Sequence, residues 1–66
     1  MIEFGQVLSL QSHFKQHYDH LIPVQVLQRG VHVDIGHITA LDENFIEIDG
    51  TLYNRQLYTF ISRAGY

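Results

Sequence analysis

Cysteine is absent from this 66-residue chain, so neither disulfides nor thiolate metal ligands can brace it. At that length a single apolar core is marginal, and self-association becomes the natural remaining support. Cations are scarce too. Lys15, Arg29, Arg55 and Arg63 are the whole complement, scattered along a chain of net charge −3. That balance disfavours a nucleic-acid binder, because affinity for a phosphate backbone rests on clustered cations. No apolar run approaches the ~20 residues of a membrane span, and the N-terminus lacks the basic and apolar regions of a signal peptide, so no membrane partner is expected and the cytoplasm is the default compartment.

What is present reads as a folded domain, 45% hydrophobic with eight aromatic residues, four Tyr and four Phe. Residues 1–8 carry Gly5 and no clear period, and are expected to be an arm or short extended lead-in ahead of a single domain over 9–66. Leu10, Phe14, His17, Tyr18 and Leu21 recur at spacings of three and four, predicting a helix of about three turns that Ser9 caps and Pro23 ends. Val24–Gln28 is β-branched and stops at Arg29-Gly30, so it reads as a strand and a turn. In the next strand Val31, Val33 and Ile35 alternate on one parity while Ile38 and Ala40 take the other. A bulge or bend is therefore expected at Gly36-His37. Leu41-Asp42-Glu43-Asn44 reads as a turn, Phe45–Ile48 as a third strand, Asp49-Gly50 as a tight hairpin, Thr51–Tyr53 as a fourth strand and Gln56–Ser62 as a fifth.

One helix followed by five short strands, the second sharply bent, resembles the Sm-like fold of Sm, LSm and Hfq proteins. The closest correspondence is Gly36-x-Ile38-x-x-x-Asp42, similar to the first Sm motif, with Leu57–Ser62 similar to the closing strand of the second. Small Sm-like proteins of spore-forming bacilli read in the same way, which adds spore association to the expected locations. The resemblance implies an all-β domain with one N-terminal helix, built as a five-stranded, strongly bent antiparallel SH3-like barrel. It also implies rings joined by strand addition. The chain departs from the RNA-binding members where Ile46 stands for their asparagine, where the last loop lacks an Arg-Gly pair, and where Tyr58-Thr59-Phe60 replaces the Tyr-Lys-His run of Hfq.

Several residues are candidates for chemistry. His13, His17 and His20 lie on one helical stripe, a spacing suited to a shared zinc or nickel ion, although no fourth ligand is evident. His32 and Asp34 share a strand face by the two-residue period, with His37 nearby, so a His–carboxylate pair could form there, for which a surface hydrogen bond is the plainer reading. Tyr53, Tyr58, Phe60 and Tyr66 are candidates for base stacking, for which core packing is the plainer use. The resemblance would place RNA at Asp42, Asn44, Tyr58 and Arg63. A barrel open at its fourth and fifth strands would instead meet another copy through Leu52, Tyr53, Arg55, Leu57, Tyr58 and Phe60, with Arg55 as a polar breaker in the turn. The expectation is a non-enzymatic, self-associating module without cofactor or small-molecule substrate. An RNA-binding ring and a metal-binding helix are the alternatives.

Overall fold

Two dipeptides that adopt positive φ frame the architecture. Arg29 and Gly30 have φ of 52° and 79°, Asp49 and Gly50 of 47° and 91°, and each pair forms the two-residue loop of a type I′ hairpin whose twist matches its strands. In the computed structural model, which describes residues 5–64, these loops join β2 (Val24–Gln28) to β3 (Val31–Gly36) and β5 (Phe45–Ile48) to β6 (Thr51–Asn54). The remaining elements are β1 (Val7–Leu8), α1 (Gln11–Asp19), β4 (Ile38–Leu41) and β7 (Thr59–Ser62). Residues 1–4 of the expected arm, and Tyr66 among the stacking candidates, lie outside the described residues.

The strands form two antiparallel sheets, sheet A (β1-β7-β2-β3) and sheet B (β4-β5-β6), and the expected five-stranded barrel is not formed. Two features account for the difference. The bent strand is divided at His37 between the sheets, and the lead-in becomes a strand of its own. Val7 and Leu8 pair with Ile61 and Phe60, while Gly5 N–H donates to Ser62 O at 2.7 Å and Ser62 N–H to Gln6 O at 2.8 Å. Residues 5–8 thus take the side of β7 that a closing strand would need.

The alternation around the bend differs from its expected form. Val24 and Val26 face the core, and their partners are Gly36 and Asp34, so Asp34, Gly36 and Ile38 continue one inward parity through the bend. Val31 and Val33 are exposed. The register slips instead at bulges on either side, at Val33 and at Thr39. Gly36 leaves room for its neighbours, since a Cβ there would lie 2.1 Å from Asp49 Oδ2 and 3.0 Å from Ile48 Cγ2 and would displace the Asp49 side chain.

The helix is shorter than its periodicity predicts and buries only Phe14 and His17. Leu10, not Ser9, is the N-cap residue, and His13 Nδ1 accepts from the Ser9 and Leu10 amides at 3.3 and 3.4 Å. Termination precedes Pro23. Leu21 takes a left-handed φ of 53°, and Ile22 N–H reaches back to His17 O at 3.0 Å, a Schellman closure made with leucine where glycine is usual. The core joins both sheets and the helix through Leu8, Phe14, Val24, Val26, Ile38, Ile46, Ile48, Tyr53 and Phe60, with Phe14 and Phe60 edge to face at 5.3 Å.

Candidate functional site

The first polar constellation is a buried hydroxyl–imidazole pair. Phe60 and Ser62 point inward from β7 by the two-residue period, and His17 follows Phe14 by three on the helix, so the two polar residues meet beneath the apolar contact. His17 Nδ1 lies 2.8 Å from His13 O and Nε2 lies 2.8 Å from Ser62 Oγ. A carbonyl can only accept, so Nδ1 carries the proton and Ser62 donates to Nε2. Burial holds the His17 pKa below its ordinary value, only partly countered by the bond to His13 O. The pair resembles a nucleophile with its base, but both side chains are fully enclosed. They fasten the helix to the sheet.

That assignment corrects the metal expectation at His13, His17 and His20. Both ring nitrogens of His17 are engaged and His13 Nδ1 caps the helix start, while His20 is the C-cap residue through its backbone N–H. Among the described residues no three His, Cys, Asp or Glu side chains are grouped to hold a metal ion. The His32–Asp34 pair is corrected as well, because the bulge at Val33 sends the two residues to opposite faces. His32 bonds Gln25 at 2.8 Å, while Asp34 accepts from Tyr53 Oη at 2.7 Å and from Ile35 N at 2.8 Å. Burial, then the bond to Asp34, pushes the Tyr53 pKa up to about 12.

The residues named for RNA are not brought together. Asp42 Oδ1 accepts from the Asn44 and Phe45 amides at 2.7 and 2.8 Å, which shapes the β4–β5 turn and holds its carboxyl below the usual range. Tyr58 packs edge to face on Tyr53 at 5.1 Å, and Arg63 Nε bonds Gln25 on β2 at 2.8 Å. The cations serve separate partners. Lys15 pairs with Asp19 at 3.1 Å, Arg29 sits in a hairpin loop, and Arg55 clamps three segments. Its guanidinium lies 4.5 Å from the Phe14 ring centroid, donates to Gln11 Oε1, and reaches Asp42 O at 3.0 Å and Ser9 O at 3.5 Å. Arg55 is therefore an internal tie, not the expected breaker between strands.

A groove of about 320 Å³ runs between α1 and β4, lined by Lys15, Tyr18, Thr39, Ala40 and Leu41. Of its polar walls, Lys15 is already paired with Asp19 and Thr39 Oγ1 donates to Glu47. The sheet edges are more telling. Of the six expected interface residues, Tyr53 and Phe60 are buried within the chain and Tyr58 is half-buried against the core, whereas Leu52 and Leu57 are 62% and 63% exposed. Leu57 lies in the β6–β7 turn, before the strand that was expected to include it. In sheet A, the β1 edge is only two residues long, and β3 carries the Val33 bulge and turns away at its end. In sheet B, β4 is bulged at Thr39 and packed by α1. The four residues of β6 have neither bulge nor charge, and no strand among the described residues covers their outer side.

The backbone there is oriented outward. Ile48 and Thr51 close a two-residue hairpin and so exchange both hydrogen bonds, as do Ile46 and Tyr53. Leu52, between them, directs its N–H and C=O away from β5. No protein-family profile, curated protein or solved structure matches the chain.

Proposed function

We propose that this chain is a non-enzymatic interaction module of Sm-like type that associates with copies of itself by strand addition at β6. One observation carries the reading. Of the four sheet edges among the described residues, β6 alone is neither two residues long, bulged nor packed by the helix, and although the Leu57 and Tyr58 amides take Asn54 O, the N–H and C=O of exposed Leu52 face outward. The Sm-like part is supported by the helix that precedes β2 to β7 and by the bent strand that serves both sheets. The non-enzymatic part is supported by the enclosure of the Ser62–His17 pair and by the pairing of Lys15 and Thr39 in the groove with Asp19 and Glu47. Sedimentation equilibrium over a wide concentration range tests it. Mass rising above that of one chain is expected, and a strict monomer at the highest concentration sinks the proposal.

A further inference from the structure

Strand β7 has no free side. It pairs with β2 from Val24↔Ser62 to Leu27↔Thr59, and on the other flank with β1, extended by the Gly5 and Gln6 bonds to Ser62. Leu8 anchors that flank, being 4% exposed within the core. A head-to-tail join, in which β6 of one copy adds to β7 of the next, would have to strip off residues 5–8 and empty the Leu8 site. Among the described residues each folded chain therefore offers one open edge. An edge that has no other place to go can pair only with its own counterpart, which gives a closed two-fold dimer and no ring.

Resting on the self-association proposed above, we infer that two copies join antiparallel through β6, with the two-fold axis at Leu52. The ladder parity selects this register. Leu52 N–H and C=O both face outward, so Leu52 of each copy donates to and accepts from Leu52 of the other. Their side chains then lie on the same face with Cα atoms about 5.5 Å apart. Charge agrees with the choice. The chain carries −3, so two copies repel, but Thr51, Leu52, Tyr53 and Asn54 are all uncharged and meet without placing like charges opposite each other. The association should accordingly tighten as salt screens the net repulsion.

Because the chain contains no cysteine, single cysteines can report the register. A Cα separation of about 5.5 Å is within disulfide range, so the Leu52→Cys variant should oxidise to a covalent dimer at least tenfold faster than Val31→Cys, an exposed position on β3. Sedimentation of the unmodified chain accompanies it, with a species no larger than a dimer expected. A strict monomer overturns the self-association reading and this inference with it. Assemblies larger than a dimer, or coupling no faster at Leu52 than at Val31, overturn the two-fold join while leaving self-association standing.

Discussion

His17 carries the most consequence of any single residue. Its ring is satisfied only as a neutral imidazole, with Nδ1–H given to His13 O and Nε2 receiving the Ser62 hydroxyl. Adding a proton at Nε2 removes that acceptor and places a charge where water cannot reach. Since burial lowers the folded-state pKa, the unfolded chain binds the proton more readily. Stability is therefore full above the ordinary histidine value of about 6.5 and declines as pH falls below it. Urea midpoints measured from pH 7.5 to 5 should fall in the parent and fall less in a His17→Leu, Ser62→Ala double variant, which removes both polar partners together. Equal slopes would refute the assignment. The ingredients were legible in the sequence, a histidine three residues beyond Phe14 and a serine two beyond Phe60. Their pairing was not, because the contact spans 45 residues and depends on where the helix lands.

Among the elements, the connections are more revealing than the strands. Both Gly-containing turns, Arg29-Gly30 and Asp49-Gly50, and the bounds of Val24–Gln28 and Phe45–Ile48 were readable locally, since turn chemistry and β-branched runs act over a few residues. The parity of the bent strand was misread. Val31 and Val33 look like core residues, but the inward places go to Asp34, which Tyr53 satisfies, and to Gly36, against which the Asp49 side chain packs. Arg55 was misassigned for a similar reason, its partners being far away in sequence. It holds α1, the β4–β5 turn and the β6–β7 turn in one grip, using the planar fork of its guanidinium over Phe14. Lysine cannot reproduce that geometry. Arg55→Lys should cost about 1–2 kcal/mol, combining a lost cation–π contact with weakened hydrogen bonds, as read from thermal or urea unfolding. An unchanged midpoint would mean that the grip is incidental.

For the whole molecule, the class of fold was legible and its closure was not. Hydrophobic alternation specifies strands and a bend, but it says nothing of which edge the N-terminal residues will occupy. The β1–β7 pairing rests on two paired residues and on Leu8, so its strength is testable. Leu8→Ala should cost about 2–4 kcal/mol. The ladder parity set by Ser62 N–H and Gln6 O aims the Phe60 and Ser62 amides at β1, with Ile61 aimed at β2. Amide exchange in that variant should accordingly quicken more at Phe60 and Ser62 than at Ile61. Uniform acceleration would show that β1 has no separate hold on β7.

The placement of β7 between β1 and β2 also bears on how the chain folds. Sheet B is contiguous in sequence and closes through local hairpins, whereas sheet A waits for residues 59–62 to enter between strands that lie far earlier in the chain. Until then Leu8, Phe14, Val24 and Val26 lack the cover of Phe60, and the edges of β1 and β2 stand apart. The chain is therefore at its most adhesive just before β7 inserts.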